Sequence, residues 1–433
     1  MRPNTPSRRL SQIDAFFVAY QERAGILMQI GTEIELNGTV QRGDLTQVME
    51  RLVARWPQLG QRIRRRVFGL EWCGVPDIGR MVREASDRRE IVAWRYRPID
   101  PFAEPPFQVL WVRGGSRTDL AFRAHHAVAD GESFFFLVVE ASLSLASIRG
   151  GVTPPPPPDA LPPPDIGAVS LGSLWRHARG LRRDVRVARS ARLWVRDVSN
   201  GSIGVVERTL HGDDLDAIRE RAARARTRST WVCAAAWIRT IHRWNRAHGA
   251  ATPQVSLEVP VSLRRGRQPG CAVGNFLSPV VLLGEGAQSL ELVAHSLWRQ
   301  LRTAVRDGDH LSMPILTAPA RHLPWSLFRR LAVNTSTTGL ATSHFTWLSQ
   351  RRNAFEEVAE RSRGALEVRR QQTYTPVCLH MGAALCVVAW PDRLQLLLSY
   401  RETALSSEDA ERLGDMLVAD LARSITPREF HTA

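Results

Sequence analysis

Two adjacent histidines, His125 and His126, precede Asp130 and Gly131 in the segment His125-His126-Ala127-Val128-Ala129-Asp130-Gly131. Free imidazole titrates near pH 6.5, so at neutral pH it can take a proton from a hydroxyl or an amine. A positioned base of this kind contributes roughly 10²- to 10⁴-fold of rate. A lone histidine on an apolar strand is most simply a buried, satisfied core group. Here the spacing argues otherwise, because His-His-x-x-x-Asp-Gly arises by chance in on the order of one sequence of this composition in a thousand. Alternation along Asp119–His126 puts Leu120, Phe122, Ala124 and His126 on one strand face, and Ala121, Arg123 and His125 on the other. The two rings cannot do the same work. If one of them faces a cleft as a base, the other is anchored in structure. Asp130 suits the cap of a following helix or a pairing with an arginine. Gly131 permits positive φ or close backbone approach.

The motif sits between a strand and a helix expected over about Ser133 to Ala146. The chain's other end repeats this plan: strand Arg393–Tyr400, a loop, then a helix from about Ser407 to Ala422 capped by Ser406 or Ser407. Tyr400 and Arg401 stand where the first half carries its histidines, so the turn itself does not require a His-His pair. The starts of the halves also correspond. Glu33–Leu36 reads as a strand, followed by Gly38 and a helix through Leu45, Met49, Leu52 and Val53. Val205–Leu210 reads as a strand, followed by Gly212 and a helix through Leu215, Ile218 and Ala222, with Asp213 or Asp214 as its cap. Between the halves lie Pro154–Pro158 and Pro162–Pro164, an extended connector, and the Arg-rich Leu171–Val195, with helical spacing. The division is residues 1–150, a crossover at 151–200, and 201–433. The fold class is α/β, two similar subdomains each with a mixed sheet flanked by helices, with a ligand site expected between them.

Composition narrows the chemistry. The 433 residues are 44% hydrophobic and 23% charged, enough for two cores. Net charge is +15, and every basic side chain apart from histidine is arginine. These arginines are scattered and accompany no nucleic-acid-binding motif, so nucleic acid is not the expected partner. Coenzyme A, an acidic carrier protein or an anionic membrane surface would all suit a basic surface. The five cysteines form no CxxC pair, and no metal or disulfide framework is expected. Cys378 and His380 read as packing. No apolar run approaches the roughly 18 residues needed to span a bilayer, which makes a cytoplasmic protein with peripheral membrane contact at most the expectation. No GxSxG elbow and no GxxxxGK[ST] loop occurs.

The segment His125–Gly131 resembles the HHxxxDG signature of acyltransferases with the chloramphenicol acetyltransferase-like fold, among them condensation domains and bacterial wax ester synthase/diacylglycerol acyltransferases. The resemblance continues along the chain. Arg9–Phe17 looks like the opening of the wax ester synthase group. Leu52–Arg66, with Trp56-Pro57-Gln58-Leu59, looks like the first helix and following strand. Val259–Arg264, Gly274-Asn275-Phe276 and Tyr374–Tyr400 are similar to a strand before a loop, a Gly-Asn motif beside the tunnel, and a closing hairpin. Two segments depart from wax ester synthases: Ser229-Thr230-Trp231-Val232 replaces their Asn-Asp, and Ser343-His344-Phe345-Thr346-Trp347 replaces their Ser-Asn.

The resemblance implies an acyltransferase with His126 as general base and His125, Asp130 and Gly131 shaping the loop. Transfer is direct, from a thioester donor to a hydroxyl or amine, with the hydroxyl favoured. Acyl-CoA or a phosphopantetheine thioester is the co-substrate, with no bound cofactor, and the acceptor is a small molecule or a lipid. Arg264 would pair with Asp130. Gly274, Asn275, Ser343, His344 and Thr346 would line the tunnel, with Trp347 beside them, although a core role suits Trp347 better. Two alternatives stand: a free-standing condensation-type enzyme with a carrier-protein-bound donor, and a non-catalytic member that binds an acyl chain or a partner.

Overall fold

The computed structural model describes residues 8–154, 172, 175, 177–178, 192–197, 199, 201–250, 254–264, 273–337, 341–349, 354–378 and 380–422. Most of the 151–200 crossover lies outside the described residues; of those described, 172, 175, 177 and 178 are helical, as the spacing of Leu171–Val195 leads one to expect, and 192–195 are not.

Two large sheets carry the molecule. The first has the order β12 (Glu367–Tyr374), β2 (Gln29–Asn37), β7 (Arg117–His125), β6 (Phe107–Arg113), β5 (Val82–Glu84). Its neighbours are antiparallel except β5 and β6. The second has the order β10 (Leu277–Glu285), β9 (Gln254–Ser262), β11 (Ser343–Ser349), β13 (Ala383–Ala389), β14 (Arg393–Arg401), β8 (Ile203–His211). Strand β11 runs parallel to both its neighbours, and the remaining pairs are antiparallel. A small sheet joins β1 (Arg8–Arg9), β4 (Leu70–Cys73) and β3 (Arg62–Arg65). Both large sheets are mixed and flanked by helices, the α/β class expected from the sequence.

Sheet membership does not follow the division at residue 200. Strand β12 comes from the later half yet pairs with β2, Tyr374 opposite Gly31 and Thr373 opposite Thr32.

Each core follows from helical periodicity. In helix Arg42–Arg55, Leu45, Val48, Met49 and Leu52 are buried on one face. Helix Gly131–Arg149 buries Phe134, Phe135, Leu137, Val138 and Ala141 in the same core as Leu120, Phe122 and Ala124 of β7. That helix is long and apolar enough to cross a bilayer, against the expectation that no such run exists, but more than half of it is buried inside the fold. In the second core, helix Asp213–Arg224 buries Leu215, Ile218 and Ala222. Its cap is Gly212, at φ 49°, and not an aspartate; Asp213, Asp214 and Asp216 lie in the first turn, where they favour the helix dipole. Helix Ser407–Leu421 is capped by Ser406, whose hydroxyl accepts from the Asp409 amide.

The internal likeness of the halves extends to side chains. A Cβ on Gly31 would overlap the ring of Tyr374 across β2 and β12, and one on Gly204 would overlap Tyr400 across β8 and β14. The strand-to-helix turns also match, but one residue away from the sequence alignment. His125 and Arg401 end their strands, and Asp130 and Ser406 cap the helices after equal intervals. His125 and Arg401 are therefore equivalent, both fully buried, and the counterpart of His126 is Glu402, an exposed side chain.

Candidate active site

Strand β7 ends at His125, so His126 lies in the turn beyond it. The turn is closed by His125 itself, whose Nδ1 accepts the Ala127 amide at 3.0 Å. Accepting there puts the His125 proton on Nε2. Full burial pushes its pKa down to about 3, so it is a neutral structural group. The main chain of His126 is tied to the first half through its amide, which donates to Met28 O at 2.8 Å.

The His126 ring stacks on Phe17, centroids 3.9 Å apart. Its Nδ1 lies 3.1 Å from Oδ1 of Asn275. The orientation of that amide follows from its other contacts. Asn275 Nδ2 lies 2.9 Å from Asp14 Oδ1 and 2.6 Å from His126 O, two acceptors that only an NH₂ can serve. Oδ1 therefore faces the imidazole, Nδ1 carries the proton, and Nε2 keeps the lone pair. Burial lowers the His126 pKa from its ordinary value, which keeps the ring neutral and basic at pH 7. The Asp14 carboxyl is pushed up to about 6 by burial, against hydrogen bonds from Asn275 and Ser11.

Asp130 has no free valence for proton transfer. Its Oδ1 accepts from the Ser133 amide and Arg264 Nη2, both at 2.8 Å, and its Oδ2 from Arg264 Nη1 and the Phe276 amide, both at 2.9 Å. Four donors fill a carboxylate's acceptor sites. Arg264 also reaches Glu132 Oε2 at 3.1 Å. Arg264 and Phe276 come from the connector between β9 and β10 and Ser133 from the helix that follows the histidines, so Asp130 clamps the second half onto that helix. Gly274 belongs to the same clamp. Its carbonyl accepts from the Asp130 amide and the Ser133 hydroxyl, and at φ 153° with the Phe276 ring 3.0 Å from a Cβ position, it requires glycine. Gly131, by contrast, is not in the left-handed region. A Cβ there would meet only Leu348, at 3.8 Å, so neither positive φ nor close backbone approach explains it; it lines the cavity wall.

His126 opens into a cavity of about 190 Å³ walled by both halves: Phe17, Met28, Ile30, Asp130 and Gly131 from the first, and Glu258, Leu277, His344, Thr346 and Trp347 from the second. Alternation along β11 decides which of its residues reach it. His344 and Thr346 face the cavity, the ring Nε2 and the hydroxyl 2.7 Å apart. Ser343 points the other way. It is fully buried, accepts from Trp237 Nε1 at 3.0 Å and donates to Ala383 O, so it does not join the site expected of it. Trp347 packs against the second core and reaches only the cavity's edge.

The structure adds two features that sequence reasoning passed over. Glu258 on β9 lines the cavity, and a second, mainly apolar cavity of about 420 Å³ adjoins the first, walled by Ile13, Phe16, Leu316, Phe328 and Ala332 among others. Cys378 and His380 line this second chamber; burial pushes the Cys378 thiol up to about 12, and no three His, Cys, Asp or Glu side chains group as metal ligands among the described residues.

No protein-family model matches the chain, and no curated protein matches it. Solved structures do. The first condensation domain of the calcium-dependent antibiotic synthetase, in complex with a substrate analogue, aligns with 96% of this chain and 96% of its own at TM-score 0.68 and 14% identity. The starter condensation domain of rhizomide synthetase, in complex with C8-CoA, aligns with 96% of this chain and 94% of its own at TM-score 0.66 and 13% identity. The condensation domain of the Monacolin K polyketide synthase aligns over 96% and 97% at TM-score 0.65 and 14% identity. From end to end, the chain has the fold of condensation domains.

Proposed function

We propose that this protein is an acyltransferase that moves an acyl group from a thioester to a hydroxyl or an amine, with His126 as general base. The observation that carries the reading is the His126–Asn275–Asp14 chain, which fixes a neutral imidazole with its Nε2 lone pair at a cavity between the halves. Nε2 takes the acceptor's proton as the acceptor oxygen or nitrogen attacks the thioester carbonyl. The imidazolium that forms keeps its Nδ1–H on Asn275. The tetrahedral intermediate collapses, the C–S bond breaks, and the imidazolium returns its proton to the departing thiolate. No acyl-enzyme is required, and holding both substrates in one cavity supplies the remaining rate.

The rhizomide starter domain, alike in fold, was solved with C8-CoA, which supports a CoA thioester as donor. A phosphopantetheine thioester on a carrier protein presents the same bond, and the net charge of +15 suits an acidic carrier as well as CoA phosphates. The preference for a hydroxyl rests on the wax ester synthase likeness alone, so the acceptor is left as either nucleophile. The test is acceptor-dependent thiol release, followed with DTNB, from acyl-CoA and from an acyl-carrier protein. His126→Ala should lower kcat by roughly 10²- to 10⁴-fold while remaining folded. Release that survives in the variant removes His126 from the mechanism.

A further inference from the structure

The catalytic scheme leaves a carboxylate in the cavity, that of Glu258, without work. Glu258 sits on β9 among Val255, Leu257 and Val259, which alternate into the second core and leave its carboxylate on the cavity face. Among the described residues no side chain donates a hydrogen bond to it, and its nearest ionic neighbour, His344 Nδ1, is 3.9 Å away, beyond hydrogen-bonding distance. The imidazole offers little compensation, since burial pushes its pKa down to about 4 and leaves it neutral. Glu258 lines both chambers, and the wall they share is otherwise Phe17, Met28, Leu277, Pro279 and Cys378. A carboxylate at an apolar junction, one step from a base and open to an apolar chamber, lacks a cation. The Glu258 side chain is 22% exposed, and a charge held this far out of water is ordinarily paired.

We infer that Glu258 selects the acceptor: it receives the ammonium group of a primary amine whose apolar body fills the second chamber. The inference rests on the acyl-transfer reading for its chemistry but not for its binding. The ammonium passes one proton to the Glu258 carboxylate, becoming a free amine. A neutral acid–amine pair is favoured over an ion pair in apolar surroundings more than in water. The carboxyl group suits this step, since burial pushes its pKa up to about 7. The amine nitrogen attacks the thioester carbonyl, His126 takes the second proton and returns it to the thiolate, and Glu258 gives its proton to solvent. Amide, thiol and one proton result.

The test compares n-octylamine with 1-octanol, two acceptors with one apolar body. Calorimetry on the wild type should show octylamine binding at least tenfold tighter than octanol. Glu258→Gln, nearly isosteric, should abolish that difference while leaving octanol binding unchanged. Leu316→Trp, which fills the chamber, should weaken octylamine but not ethylamine. With acyl-CoA present, Glu258→Gln should lower kcat/KM for octylamine on the order of 10- to 100-fold, the loss expected when the incoming ammonium finds no carboxylate to receive it, and should lower octanol turnover at least tenfold less. Equal binding of the two ligands to wild type, or an equal effect of Glu258→Gln on both, overturns the inference. Selective binding of octylamine without thiol release leaves the subsite standing and removes the acyl-transfer reading instead.

Discussion

Asn275 and His126 are joined twice, side chain to side chain at 3.1 Å and Asn275 Nδ2 to the His126 carbonyl at 2.6 Å, although 149 residues separate them. One residue of the second half thus sets both the tautomer and the main-chain position of the proposed base in the first. Replacing Asn275 with Ala removes both bonds and leaves the ring free to adopt either tautomer. The expected result is a fall in kcat of about 10- to 100-fold, within the range for a misplaced base, with KM for the thioester nearly unchanged. Steady-state thiol release checks it.

Activity should require unprotonated His126. Burial lowers its pKa, so the acid limb of kcat/KM should fall below the ordinary imidazole value of 6.5, and activity should be lost as pH drops through the lowered value. The Asn275 hydrogen bond holds the pKa up, so Asn275→Ala should move the limb further toward acid. A limb at or above 6.5 in the wild type would contradict the burial argument.

His125 should make stability depend on pH. Its pKa is about 3 in the folded state and 6.5 when unfolded, so the unfolded chain holds the extra proton between those values. The stability it contributes is complete above pH 6.5 and is lost as pH falls toward 3. Urea unfolding of wild type and His125→Asn from pH 7 to pH 4 checks this: the variant should lose less stability across that window.

The pair of Arg264 with Asp130 is buried, with side-chain exposures of 5% and 2%. Arg264→Ala leaves Asp130 charged and short of two donors, at a cost of about 3–5 kcal/mol. Arg264→Lys should restore little of it, because an ammonium cannot span both oxygens as the guanidinium does. Chemical denaturation measures both, and activity should fall with the clamp in each variant.

The glycine–tyrosine contacts of the two halves should behave alike. Gly31→Ala and Gly204→Ala each force a methyl group into a tyrosine ring, and each should destabilise by about 1–3 kcal/mol. Pairing either with the facing tyrosine changed to leucine should recover most of the loss in a double-mutant cycle.

The sequence discloses local features well and long-range ones unevenly. The strand, turn and helix around His125–Gly131 follow from periodicity and capping. The Arg264–Asp130 contact was also within reach, because one buried acid beside a helix start needs one cation. The place of Ser343 was within reach as well, because period-2 alternation groups it with the apolar Phe345 and Trp347 on the core face, opposite His344 and Thr346. Glu258 could have been found as a lone charge at an alternate position in an apolar strand, Val255–Val259. The partnership of β12 with β2 leaves no local trace, since the paired residues lie more than 300 positions apart.

That partnership governs the order in which the molecule can be made. The hydrogen bonds along one edge of β2 wait for Glu367–Tyr374, so the amino-terminal sheet stays open until most of the chain has left the ribosome. Closing it pays the entropy of a very long loop, which makes it a slow step. Until then β2 presents an unpaired edge to other chains. The nascent protein should therefore depend on chaperones, and refolding from denaturant should become slower and less complete as its concentration rises.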